Sequence, residues 1–411
     1  MKLDLEPVKE AAYKLHAQSD EPLCAYIYDL MHLRDHARRL VTSLPTRCEL
    51  FYAVKANSDA PILQALAGEV HGFEVASGGE LEWVRTHCPE APVIFGGPGK
   101  TDAELTAALV QGVEALHVES LGELQRLDWL AEREGADISV LLRINLPLAD
   151  LRQTSLTMGG RPTPFGIDVQ QLQQVLEWLK RRSRITLRGF HFHLLSHQLD
   201  ARAHLDMLRG YLREVSVWQA QYQLKIDLIN VGGGIGINYR EPNRQFAWDD
   251  FVLGLGSLFD TTPFEHCRVR FELGRYVAAG CGYYLAEVLD VKENLGSQFV
   301  VVRGGTHHFR TPYAQGHSHP FEVLPVDQWN YPFERHGLEQ SRINVVGQLC
   351  TPKDVLVSDT HVDKVRIGDL LLFPYAGAYA WHISHHDFLR HPYPQQVYLP
   401  ITREVRRAAN Q

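Results

Sequence analysis

Leu50-Phe51-Tyr52-Ala53-Val54, continued by Lys55-Ala56-Asn57, is a short apolar run that ends on a lysine. Its length and its aromatic and β-branched content predict a buried strand, and the run does not stand alone. Comparable runs recur at residues 70–75, 93–95, 115–118, 138–144, 187–193, 226–231 and 269–271. Segments of helical period separate them, at residues 59–67, 78–85, 102–110, 121–133, 169–181 and 203–222. Eight strands alternating with helices predict an α/β chain folded as a (β/α)8, TIM-type barrel. A doubly wound sheet, the competing arrangement, needs no closed set of eight.

Past Gly280 the texture changes. Runs at residues 283–291, 299–302, 343–346, 364–367 and 370–373 are β-branched or aromatic and separated by turn residues, which predicts a mostly β C-terminal domain. The expected organisation is an N-terminal segment, 1–25, that joins the β domain, then a barrel over 26–280 and the β domain over 281–411. A chain of 411 residues is too long for one ordinary core, which agrees with two domains.

The formal net charge of -8 comes without a long run of like charge, which argues against nucleic acid or a membrane surface as partner and for a small molecule. Six cysteines (Cys24, Cys48, Cys88, Cys267, Cys281, Cys350) show no Cys-x-x-Cys spacing, so neither a zinc site nor a disulfide framework is expected. The first residues carry acids and no apolar segment, and no apolar run reaches the length of a membrane span. The expectation is a cytoplasmic protein.

Loops at the carboxyl ends of barrel strands make active sites, and six clusters fall in such loops or in the β domain. Lys55, set among small and apolar neighbours, is expected to be desolvated, which favours the neutral amine that condenses with an aldehyde. Glu74-Val75-Ala76-Ser77-Gly78-Gly79-Glu80 reads as a helix cap. Phe190-His191-Phe192-His193-Leu194-Leu195-Ser196-His197 places two histidines on one face of a strand, either as satisfied imidazoles or as a plane for stacking on a ring; no carboxylate stands at ligand spacing, so no metal is expected. Gly232-Gly233-Gly234 lets backbone N–H groups converge as a phosphate requires. Phe271-Glu272-Leu273-Gly274-Arg275 sets a carboxylate and a guanidinium about a glycine, either as an ion pair or as a ring-nitrogen partner and a phosphate ligand. Gly347-Gln348-Leu349-Cys350-Thr351-Pro352-Lys353-Asp354, with Gly377-Ala378-Tyr379, puts a cysteine in a loop. An aldehyde-capturing amine, a phosphate cradle, a stacking imidazole and an acid for a ring nitrogen together call for pyridoxal 5'-phosphate.

With Arg143-Ile144-Asn145 added, these motifs resemble, in order, those of the fold-type III pyridoxal-phosphate decarboxylases, the group of ornithine, diaminopimelate and arginine decarboxylases, over residues 25 to 390. The resemblance implies that Lys55 binds the cofactor aldehyde and His193 stacks on its ring. It implies that Glu272 pairs with the ring nitrogen and that Ser196, Gly234, Arg275 and Tyr379 bind phosphate, with Gly233, Gly274 and Arg143 lining the same cofactor site. Cys350 would enter the site of the partner subunit in a head-to-tail homodimer with shared active sites, and protonate the carbon that CO2 leaves.

Departures from the family pattern concern substrate. Thr351 stands where ornithine and diaminopimelate enzymes carry an acid for a distal ammonium, and His307-His308-Phe309-Arg310 brings a cation and two imidazoles. Residues 383–392, Ile-Ser-His-His-Asp-Phe-Leu-Arg-His-Pro, replace the usual pocket sequence and look like the decarboxylases of citrate-based siderophore pathways. The expected substrate is an amino acid bearing a citryl or similar polycarboxylate group, O-citryl-serine or citryl-diaminopropionate in type. Arg310, His307, His308, Thr351, Asp354 and His386 are the expected substrate contacts. The alternatives are a diaminopimelate or carrier-protein-bound amino-acid decarboxylase, and a non-catalytic relative that only binds partners.

Overall fold

The computed structural model describes residues 3–147, 156–157, 159–260 and 266–401. They divide into two compact units. One holds residues 35–236 and 246–277, and the other holds residues 3–34, 237–245 and 278–401.

The first unit is the barrel. Strands Cys48–Ala53, Gly72–Val75, Val93–Phe95, Ala115–Val118, Ile138–Asn145, Ile185–His191, Leu228–Asn230 and Arg268–Leu273 pair in parallel, each with its neighbour. Closure comes where Leu116 pairs with Val140 and where Phe271 pairs with Leu50. Helices such as Gly78–His87, Asp102–Val110, Leu121–Glu134 and Ala201–Tyr222 return the chain between strands. Strands buried on both faces read as unbroken apolar runs, which is why eight of them were visible in the sequence. The sixth ends at His191, two residues earlier than expected, because the chain leaves the sheet before His193.

Polar side chains fill part of the barrel interior, and the strand period of two decides which. Arg270 and Glu272 lie two apart on the last strand and so share a face. Arg270 is fully buried, with its guanidinium over the Phe51 ring at 4.0 Å. Its Nε and Nη2 donate to Glu49 Oε2 at 2.9 and 2.6 Å, and Nη2 also donates to Glu114 Oε1 at 2.5 Å.

The second unit is a mostly antiparallel sheet. Gly282–Asn294 lies between Leu370–Phe373 and Ser297–Val302, and Gly337–Val346 and Val355–Arg366 extend the sheet beyond. Cys24–Asp29 also pairs with Gly282–Asn294, and with Gln395–Leu399 in parallel. Helix Glu6–Ala17 buries Val8 and Ala12 against Leu23, Ile27, Leu285 and Leu372.

Removing one partner of a buried ion pair leaves uncompensated charge. Arg270→Ala, which leaves Glu49 and Glu114 facing each other, should therefore cost about 3–5 kcal/mol of stability. Urea unfolding measures it; an unchanged midpoint would show that the pair does not hold the barrel floor.

Candidate active site

Lys55 follows the first barrel strand on a single 3-10 turn, Val54–Ala56. Its side chain is 43% exposed, so it is not desolvated: the turn buries Val54 and Ala56 and lifts the lysine clear of them. A buried carboxyl meets it instead. Lys55 Nζ donates to both oxygens of Glu74, at 2.9 and 2.6 Å. Burial pushes the Glu74 carboxyl up, to about 7, against the pull of Lys55 and with a further push from Glu272. Three residues on, Ser77 accepts from the Glu80 N–H and Glu80 accepts from the Ala76 N–H, so this motif is the expected cap.

His191, which ends the sixth strand, and His193, just past it, have separate surroundings. His193 Nδ1 accepts from the Gly233 N–H at 3.3 Å, and its Nε2 stands 3.3 Å from Ser196 Oγ. Desolvation, helped by Arg143 and Lys55, lowers His193 to about 3 and keeps it neutral. Beside it the glycine turn is sterically obligatory: a Cβ on Gly233 would stand 2.0 Å from the Glu272 carbonyl oxygen, and Gly234 holds φ at +88°. Gly274 follows the last strand and Arg275 opens a short helix, Arg275–Ala278. Arg143 Nη1 donates to Glu119 Oε1 at 2.7 Å, and Glu119 also accepts the Gly97 and Gly166 N–H groups.

Below them Glu272 is 6% exposed, and its Oε1 accepts from Asn230 Nδ2 at 2.8 Å. His117 Nδ1 lies 3.5 Å from the same oxygen and His191 Nε2 lies 3.3 Å from the other. Both imidazoles are held well below the ordinary histidine range, chiefly by burial. Two histidines and a carboxylate within 4.8 Å resemble a metal site. The rings, however, stack with centroids 4.1 Å apart, whereas two imidazoles on one tetrahedral zinc would hold their centroids about 5 Å apart. The set suits two neutral imidazoles packed beside a carboxylate better than the ligands of an ion.

The other unit carries the remaining expected residues. Cys350 is exposed while the other five cysteines are buried. Asp354, expected as a substrate contact, is 2% exposed and accepts the Thr306 and Leu349 N–H groups at 2.6 and 2.8 Å. Those bonds consume its oxygens and tie the cysteine loop to the 304–308 turn. His307 and His308 are fully buried, and burial lowers them to about 4 and about 2, so neither offers charge to an anion. Arg310 does: its Nη1 donates to His385 Nδ1 at 3.2 Å and its N–H to Ser384 Oγ at 3.0 Å. His386 stacks on Trp381 at 3.5 Å. Thr351 Oγ1 accepts from the Lys353 N–H at 3.3 Å, and the carbonyl of Tyr379 accepts from Thr311 Oγ1.

His117, Glu119 and Asn230 are the residues that sequence reasoning missed. Each is polar and stands at or just past the end of a barrel strand, a signal open to reading in Leu116-His117-Val118-Glu119 and in Ile229-Asn230.

An amine paired with a titrating carboxyl, a neutral imidazole against a glycine turn and a carboxylate buried among donors share one kind of ligand, an aromatic aldehyde with a phosphate, and the donor set fits pyridoxal phosphate. The family described as pyridoxal-dependent decarboxylase, pyridoxal binding domain, matches residues 30–279. The 2-[(L-alanin-3-ylcarbamoyl)methyl]-2-hydroxybutanedioate decarboxylase of Staphylococcus aureus (strain NCTC 8325 / PS 47) is 43% identical over 400 residues, 97% of this chain and 99% of its own. The L-glutamyl-[BtrI acyl-carrier protein] decarboxylase of Niallia circulans is 30% identical over 387 residues, 90% of this chain and 87% of its own. Among solved structures, Helicobacter pylori diaminopimelate decarboxylase complexed with L-lysine matches with a TM-score of 0.82 at 24% identity, covering 95% of this chain and 94% of that one. The chain belongs to the pyridoxal-dependent decarboxylases. It is an enzyme, a carboxy-lyase that uses pyridoxal phosphate. Among the described residues no helix is long and apolar enough to cross a membrane.

Behind the glycine turn, His204 is 1% exposed, packs on Phe246 and Phe251, and is lowered to about 4 by burial alone. An unfolded chain takes up this proton below about pH 6.5 while the folded chain refuses it until about pH 4, so stability is lost as pH falls through that window. His204→Phe should remove up to about 3 kcal/mol of this acid sensitivity. Melting temperature against pH tests it: wild-type and variant curves that stay parallel from pH 7 to 4.5 would contradict the assignment.

Proposed function

We propose that this decarboxylase removes the α-carboxylate of an amino acid whose side chain ends in a citryl or similar polycarboxylate group, giving a siderophore building block. One observation carries the reading. The Staphylococcus aureus relative, alike over nearly the whole of both chains, is named for an alanine joined through an amide to a hydroxybutanedioate. The β unit supports it: Thr351 supplies no carboxylate for a distal ammonium, and Arg310 presents a guanidinium steadied by His385. The diaminopimelate and carrier-protein alternatives have more distant relatives, at 30% identity or below.

Pyridoxal phosphate, when bound, supplies the electron sink for the carbanion that CO2 leaves behind. In the proposed assignment the chain's own groups prepare it. Lys55 would hold the aldehyde end of the cofactor, and Glu74, hydrogen-bonded to its Nζ and raised to about 7, would take up the proton of its ammonium. His193, held against Gly233, would cover the ring, and Glu272 would pair with the ring nitrogen. Ser196, Gly233, Gly234, Arg275 and Tyr379 would bind the phosphate, while Gly274 and Arg143 would shape the surrounding wall. Cys350, the exposed thiol, delivers a proton to the site of the partner subunit in a head-to-tail homodimer.

Arg310 recognises a distal carboxylate. CO2 release from citryl-diaminopropionate, O-citryl-serine, diaminopimelate, ornithine and lysine should be fastest with a citryl conjugate. Arg310→Gln should raise its KM about tenfold or more with little change in kcat, the loss of a charge-assisted hydrogen bond made alike in ground and transition states. Fastest turnover of an uncitrylated amino acid would sink the reading.

A further inference from the structure

The buried floor under Glu272 has a single possible wiring. Asn230 is fully buried and closes the strand Leu228–Asn230, directly before the glycine turn. Its Oδ1 accepts the Gly232 N–H at 2.9 Å, which fixes which end of the amide is oxygen. Its Nδ2 therefore carries both hydrogens, one directed to Glu272 Oε1 at 2.8 Å and one to His117 Nε2 at 3.4 Å. A nitrogen that accepts cannot also donate in neutral imidazole, so the His117 proton sits on Nδ1, the atom 3.5 Å from Glu272 Oε1. His191, stacked on His117 at 4.1 Å, holds that ring upright and brings its own Nε2 to 3.3 Å from Oε2.

We infer that Asn230 is a positioning residue for Glu272: its amide clamps the carboxylate and the glycine turn in one register, and it sets the His117 tautomer that turns the Nδ1–H, 3.5 Å away, toward the same carboxylate. A carboxylate so buried has few ways to satisfy its oxygens, and the Asn230 amide supplies the hydrogen bond to Oε1 while Oε2, with His191 Nε2 3.3 Å away, is the oxygen left to meet a ring nitrogen. The inference rests on the proposed pairing of Glu272 with the cofactor ring, and it adds a coupling: the ring-nitrogen acid and the phosphate turn move together because one side chain holds both.

Asn230→Asp separates the two functions of the amide. Its remaining oxygen can still accept the Gly232 N–H, while both donors are lost. Titration of pyridoxal phosphate into cofactor-depleted protein should show affinity weakened about tenfold or more, the loss of a hydrogen bond to a charged group, together with an altered visible band of the bound cofactor. Far-UV circular dichroism should remain that of wild type. In a Glu272→Gln background the same change should cost less than about twofold, because the group it acts through is already gone. Wild-type affinity and band in Asn230→Asp, or losses that multiply in the double variant, would overturn the inference. Should Asn230→Asp fail to fold, His117→Phe keeps the stack and removes the Nδ1–H, and it must shift the band in the same direction or the inference fails. Glu272→Gln alone with an unaltered band would refute the pairing of Glu272 itself and take this inference with it, an outcome distinct from a silent Asn230 variant.

Discussion

A carboxylate in the interior of a barrel must be met by donors or it does not stay there. Glu272 accepts from one amide and lies beside two imidazoles, on strands that begin at Leu228, Ala115 and Ile185, and much of the site is arranged around that requirement. The closed sheet brings Ala115–Val118, Ile185–His191, Leu228–Asn230 and Arg268–Leu273 round one interior, and their period of two points His117, His191, Asn230 and Glu272 into it. Arg270, one layer below on the same strand as Glu272, is compensated by Glu49 and Glu114, so a paired positive charge lies beneath the negative one.

The mouth of the barrel applies the same economy to protons. Lys55 reaches solvent, yet its ammonium touches a carboxyl that burial has raised to about 7, which leaves that carboxyl able to accept a proton near neutrality. His193, lowered to about 3, stays neutral beside them and presents a flat, uncharged face. In the β unit, burial silences His307 and His308 and leaves Arg310 as the charged member of that turn, with His385 obliged to accept from it.

How far the sequence revealed this depended on whether the deciding contact was local. Barrel strands buried on both faces announce themselves as apolar runs, and residues 93–95 and 115–118 were bounded correctly on that signal. The long hairpin Gly337–Val346 with Val355–Arg366 was seen only as residues 343–346 and 364–367, because its half-exposed strands carry polar side chains that read as loop. Lys55 was legible by position and family pattern, though its exposure was not, since a single 3-10 turn decides it. Asp354 was taken for a substrate group because nothing local shows that Thr306, 48 residues away, donates to it. The wiring of Asn230 to His117 spans 113 residues, and only the closed sheet reveals it.

The state of the cofactor nitrogen tests the account most directly, since Glu272 and its buried donors exist in this reading to hold a proton there. Protein reconstituted with pyridoxal phosphate labelled with 15N at the ring should show, by NMR at neutral pH, a protonated pyridine nitrogen, and the Glu272→Gln variant should lose that signature. An unprotonated nitrogen in the wild-type enzyme would contradict it.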